Sequence, residues 1–113
     1  MDWIARFEMK DPDLSKDYLK LYRFYCRSKK AKSLELNIDK IIQHDEIPMI
    51  VSQMQEFGIG VFTISAKYVG LLDMVMEFCN CGCMVMGIKE TTVVDSMSDN
   101  ILERPALVLA IRY

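Results

Sequence analysis

The stretch 60–113, GVFTISAKYVGLLDMVMEFCNCGCMVMGIKETTVVDSMSDNILERPALVLAIRY, decides the fold. Its opening, Val61-Phe62-Thr63-Ile64-Ser65, is β-branched and aromatic and reads as a strand. Ser65 stands where it would cap a following helix, and that helix is expected over 65–80. Only Lys67, Gly70, Asp73, Glu77 and Asn80 interrupt its apolar positions. So narrow a polar stripe predicts a helix packed over most of its circumference, with Leu72, Val75, Met76 and Cys79 buried. Gly82 is placed to end it. Residues 84–94 and 106–113 then read as strands joined by a loop centred on 96–100, with Pro105 marking the start of the second.

Upstream, a helix is expected over 13–31. Leu14, Tyr18, Leu21, Tyr22 and Tyr25 recur at spacings of three and four, which places them on one side. Before it, Trp3, Ile4 and Phe7 make one short helical face, and Asp11-Pro12-Asp13 reads as a turn. Leu34-Glu35-Leu36 is a weak strand, and Asn37 or Asp39 is placed to start a short helical turn through Ile42. Asp45 is a candidate N-cap for a further helix, with Pro48 in its first turn. Ile47, Ile50, Val51, Met54 and Phe57 form that helix's apolar face, and Gly58 closes it. The order is α-β-α-β-α-β-β. Strand–helix–strand units favour parallel pairing and the last two strands an antiparallel hairpin. The expected fold is α/β, with α+β as the alternative: one domain and a mixed four-stranded sheet whose short edge strand is the weak one. Residues 1–32 are its helical N-terminal segment and 33–113 its α/β core.

A length of 113 residues, 51% of them apolar and 27% charged, suits a single folded domain and argues against disorder. Charges interrupt every apolar run well short of a membrane span. The N-terminus lacks a basic region followed by a long apolar one, so a cytoplasmic protein is expected. Nine methionines mostly fall in elements that build the core, where Met fills irregular space. Met97 stands apart in a polar loop and is expected to be exposed.

Candidate chemistry is sparse. Cys79-Asn80-Cys81-Gly82-Cys83 sets three thiols within five residues, but structural zinc takes four ligands, commonly in two pairs. Neither Cys26 nor His44 supplies a second pair. The spacing also differs from the C-x-x-C of redox sites. The expectation is Cys79 and Cys83 in the core, Cys81 exposed near the turn, and no metal or cofactor. His44, beside Asp45, has no nucleophile close in sequence. Gly58-Ile59-Gly60 precedes a strand instead of opening a helix, the reverse of a dinucleotide-binding turn. Asp73 and Glu77 read as a solvated helix face.

Charge is the more informative feature. Residues 14–32 hold seven basic side chains and one acidic, whereas residues 33–113 hold five basic and eleven acidic. Lys16, Lys20, Arg23, Arg27 and Lys30 recur at helical spacing and form the candidate partner-binding surface. Such a stripe suits an acidic protein surface or a phosphate backbone, with the neighbouring tyrosines able to stack on bases. The remainder of the domain, being acidic, opposes tight salt-driven DNA binding.

Phe57-Gly58-Ile59, Phe62-Thr63-Ile64-Ser65, the apolar helix ending at Gly82-Cys83, Gly87 and Pro105-Ala106 together resemble a pattern found in small, largely uncharacterised proteins of Gram-positive gut bacteria. Those proteins ride on plasmids, integrative elements and phages. The resemblance implies an accessory factor, of the kind that includes anti-CRISPR inhibitors of host defence nucleases, and implies no catalytic residues. The first functional expectation is therefore a non-enzymatic protein-interaction domain. Its partner would be a nuclease or nuclease–RNA complex. The alternatives are a nucleic-acid-associated regulator and a small thiol or metal protein built around residues 79–83.

Overall fold

The computed structural model describes residues 18–67, 69–95 and 97–112. Trp3, Ile4, Phe7, the Asp11-Pro12-Asp13 turn, Leu14 and Lys16 lie outside them. The elements in chain order are α1 (Leu19–Lys30), β1 (Leu36–Ile38), a 3₁₀ turn (His44–Glu46), α2 (Ile47–Glu56), β2 (Val61–Ile64), α3 (Leu71–Asn80), β3 (Cys83–Val94) and β4 (Ile101–Ile111). They form a single α+β domain around one mixed sheet of order β1-β2-β4-β3. β1 and β2 are parallel, and β4 runs antiparallel to both of its neighbours. β2 and β3 are therefore parallel in direction without touching, because the last strand enters between them.

The core follows the strand period of two. Leu36 and Ile38 of β1, Phe62 and Ile64 of β2, and Leu109 and Ile111 of β4 are buried on one face. Leu21, Phe24 and Tyr25 from α1, Ile47, Ile50, Val51 and Met54 from α2, and Met74 and Phe78 from α3 join the same cluster. Each fully buried side chain of this size contributes about 1.5–3 kcal/mol relative to exposure. The apolar face expected for α2 is buried residue for residue, Phe57 included. The helix ends as a Schellman motif: the Ile59 N–H donates to Met54 O at 2.8 Å and the Gly58 N–H to Gln55 O at 3.0 Å. Gly58 sits at φ 72°, which a side chain would make costly.

Several local expectations are corrected. Asn37 lies inside β1, and the helical turn expected from it through Ile42 forms later, at His44–Glu46. Asp45 falls within that turn, so Glu46 takes the N-cap position of α2 and makes no side-chain cap bond. The third helix begins at Leu71 rather than at Ser65, because Ser65 is held by β2 and its neighbours (below) and Gly70, at φ 97°, opens the helix. Its packing is also narrower than expected. Met74 and Phe78 are buried, Val75 is half-buried, and Leu72, Met76 and Cys79 are exposed. Leu72 is 77% exposed. α3 turns Met74 and Phe78 into the core, with Leu71 and Val75 half-buried beside them, and leaves its Leu72, Met76 and Cys79 side to solvent. β4 starts at Ile101 with Pro105 inside it, opposite Glu90. The ring is tolerated there because β2 pairs with β4 only over Leu107–Ala110, leaving that part of β4 an edge on its second side.

The hairpin does not extend freely into solvent. Lys89 pairs with Glu35, the Ser33 hydroxyl donates to Thr92 O at 2.8 Å, and Lys30 meets Asp99. Its distal half thus curls back toward α1 and the segment leading into β1. A register shift between Val85 and Gly87 interrupts the ladder on the way, the device by which strands bend.

Candidate functional site

Of the five stripe cations, Lys16 lies outside the described residues. Lys20 forms an ion pair with Glu46, just before α2. The Arg27 guanidinium grips Asp39, past the end of β1: Nε lies 2.8 and 3.0 Å from the carboxylate oxygens and Nη2 2.8 Å from Oδ1. That bidentate geometry is the strong form of the interaction. The same guanidinium lies 5.0 Å from the Phe24 ring centroid. Lys30 Nζ is 3.1 Å from Asp99 Oδ1, with both side chains well exposed. Arg23 is exposed and enters no ion pair among the described residues. Acids of three segments therefore meet the basic helix within the chain, and the division of charge read along the sequence is partly closed in space.

Arg27 and Lys30 also line a cavity of about 490 Å³. Asp39 and Lys40 enter it from the end of β1, Ser65 and Lys67 from the end of β2, and Val93, Val94, Asp99 and Arg104 from the curled hairpin. The cavity thus opens at the carboxyl ends of the two parallel strands, where open sheets with parallel strands commonly bind ligands. Five cations face two carboxylates in its lining, and those carboxylates are the ones held by Arg27 and Lys30. Lys40 and Lys67 have no ion pair among the described residues. Arg104 donates to Glu103 O, and its charge helps hold the Asp95 carboxyl below its usual range. Larger contributions to Asp95 come from the Ser98 hydroxyl and the Met97 N–H.

A buried polar chain ends in this cavity. Thr63 Oγ1 donates to Asn37 Oδ1 at 2.7 Å, and Asn37 Nδ2 donates to Ser65 Oγ at 2.8 Å. All three side chains are more than nine-tenths buried. This orientation of the amide gives the wholly buried Thr63 proton its acceptor. Ser65 Oγ is thereby an acceptor from Asn37, its own proton is not used in that bond, and Ser65 is one of the residues lining the cavity. On the other side of β1, the Asn37 backbone N–H donates to Ser28 Oγ of α1 at 2.9 Å, which covers the sheet edge.

The thiols do not converge. Cys26 and Cys79 are exposed and Cys83 is buried, so Cys79 departs from its expected place in the core. Cys81 is half-buried, its Sγ 3.7 Å from Glu77 Oε1, while His44 Nε2 lies 3.2 Å from Glu77 Oε2. The carboxylate stands between thiol and imidazole, so His44 is not placed to take the thiol proton. Burial first, then the Glu77 charge and hydrogen bond, push the Cys81 thiol up, away from the reactive thiolate. Among the described residues no group of three or more His, Cys, Asp or Glu side chains is arranged to hold a metal ion.

Sequence reasoning reached Arg27 and Lys30 through their spacing. It missed Lys40, Ser65, Lys67 and Arg104, which come from three separated places in the chain. The available signal was Asn37 and Thr63, polar residues inside otherwise apolar strands. A family model described as a domain of unknown function (DUF7698) matches residues 20–112. No curated protein and no solved structure matches the chain.

Proposed function

This chain belongs to the DUF7698 family, and we propose that it works as a non-enzymatic protein-interaction domain. Its contact surface is the outer side of α1. The supporting observation is that Arg23, Lys30 and Lys32 stand exposed on or just after one helix of an otherwise acidic chain. Arg23 keeps its charge free of ion pairs among the described residues. The Lys30–Asp99 pair is exposed enough to contribute only about 0–1 kcal/mol, so an incoming carboxylate exchanges with it readily. An acidic partner gains encounter rate from such a surface, and its binding weakens with salt. The resemblance in sequence to mobile-element accessory proteins supplies the partner class in this proposal, a host defence nuclease or its complex with RNA.

The test uses Arg23→Glu with Lys30→Gln. Arg27 and Lys20 are left alone, because the acids they neutralise, Asp39 and Glu46, are partly buried, whereas Asp99 opposite Lys30 is open to solvent. The partner is captured from host lysate with the natural chain, identified, and purified. Its affinity is expected to fall by at least tenfold on the double substitution, while the thermal midpoint of the domain stays within a few degrees. Unchanged affinity would remove α1 as the contact surface. Capture of nucleic acid with no protein would instead select the regulator reading, which then requires a smaller slope of log affinity against log salt in the variant.

A further inference from the structure

We propose that the cavity at the carboxyl ends of β1 and β2 is a binding site for a small molecule carrying a phosphate or diphosphate group. This goes beyond the contact surface of α1, since the groups that define it come mainly from the strand ends and the hairpin.

Size comes first. A volume of about 490 Å³ lies within the range of small-molecule sites, roughly 300–1,000 Å³. Charge decides the class of ligand. The bidentate grip of Arg27 neutralises Asp39, and Lys30 answers Asp99. Lys40 and Lys67 remain, joined by Arg104, whose charge is shared with Asp95 outside the lining. A single carboxylate would leave at least one of the lysines unanswered. A phosphate monoester or diphosphate carries two to three negative charges and offers acceptor oxygens in several directions. Both lysines follow the ends of parallel strands, and Arg104 reaches in from β4, so the cations surround the space from separate segments.

The hydrogen-bond polarity agrees. Thr63 donates to Asn37, Asn37 donates to Ser65, and the Ser65 hydroxyl is left as a donor at the cavity wall. A chain that ends on a donor matches an acceptor-only ligand, which is what a phosphate group is. Val93 and Val94 supply an apolar wall on the hairpin side, suited to the organic body of such a molecule.

The full chain is titrated at fixed ionic strength with inorganic phosphate, pyrophosphate, AMP and ADP. Binding is followed by calorimetry and by the amide resonances of Lys40, Ser65 and Lys67. Saturable one-to-one binding of at least one probe is expected, with shifts centred on those three residues. Lys40 and Lys67 are exposed, so Lys40→Ala with Lys67→Ala is expected to keep the fold and to raise the dissociation constant by roughly tenfold or more, through the loss of two charge-assisted contacts. Ser65→Ala is expected to weaken the same probe with the two lysines intact. The Arg23→Glu control, outside the cavity, is expected to bind normally. Failure of all four probes would overturn the proposal, and so would binding indifferent to the lysine pair. A single-stranded oligonucleotide that binds where every small probe fails would also overturn it, in favour of a surface that tracks a polymer. None of these results depends on α1 binding a protein.

Discussion

Cys83 shows how one residue's surroundings set its chemistry. Burial at the start of β3, with lesser contributions from Cys81 and Cys79, raises its thiol from an ordinary value of 9.0 to about 11. The folded state therefore keeps a proton that the unfolded chain releases above about pH 9. Stability from this group is complete below that pH and is lost as pH climbs through about 11. Chemical denaturation between pH 8 and 11 is expected to show that decline, and Cys83→Ala is expected to flatten it. Alkylation should separate the thiols in order of access: Cys26 and Cys79 first, Cys81 later, Cys83 only on unfolding. Simultaneous modification of all four under native conditions would contradict the burial of Cys83. On the exposed side of the hairpin, Glu90 is raised by its hydrogen bond to Glu103 and then by that residue's charge. Glu103→Gln leaves a hydrogen-bond partner but removes the like charge, so a carboxyl titration followed by NMR should find Glu90 moved down. A raised carboxyl binds its proton more tightly when folded, so this pair favours folding on the acid side of its titration and opposes it above.

At the scale of elements, α3 separates apolar composition from burial. Its sequence is apolar nearly all round, yet only Met74 and Phe78 are fully taken into the core, with Leu71 and Val75 half-buried against it. Phe78 is fully buried, its ring centroid 5.2 Å from that of Phe62. Phe78→Ala is expected to cost about 3–5 kcal/mol. Leu72→Ala, at a position the sequence pattern assigns to the core, is expected to stay within about ±0.5 kcal/mol. Urea midpoints of the two variants check both values, and a large loss at Leu72 would mean that its side is covered in solution. α2 behaves in the opposite way. Its expected apolar face is buried, with Gln53 the one polar residue of the helix buried beside it, and Gly58 stops it with the geometry its sequence suggests.

The molecule as a whole is closed by the curled hairpin. Ser33, Glu35 and Lys30 hold its distal half through Thr92, Lys89 and Asp99. Ser33 is buried, so Ser33→Ala is expected to cost about 1 kcal/mol and to speed hydrogen exchange in the distal hairpin, residues 89–94 of β3 and 101–106 of β4. Amides of β2 should exchange as before. Uniform acceleration across the sheet would show that the hairpin and sheet open as one unit. The same closure forms the cavity wall, so Ser33→Ala should also weaken any probe that binds there.

By itself, the sequence determined the elements and their order. Period-two strands, a one-sided α2, a terminal hairpin and a short edge strand are local patterns, each enforced by backbone geometry within a few residues. It also placed Met97 in solvent, where the structure has it almost fully exposed. Only the tertiary structure decided the insertion of β4 between β2 and β3, the curl of the hairpin, and the exposure of Leu72, Met76 and Cys79. It alone brought Lys40, Ser65, Lys67 and Arg104 to one cavity and set acids against Lys20, Arg27 and Lys30. The physical reason is that hydrophobicity and charge state only what a side chain would gain from a partner. Whether a partner arrives depends on strand order and curvature, which are fixed by contacts between residues far apart in the chain.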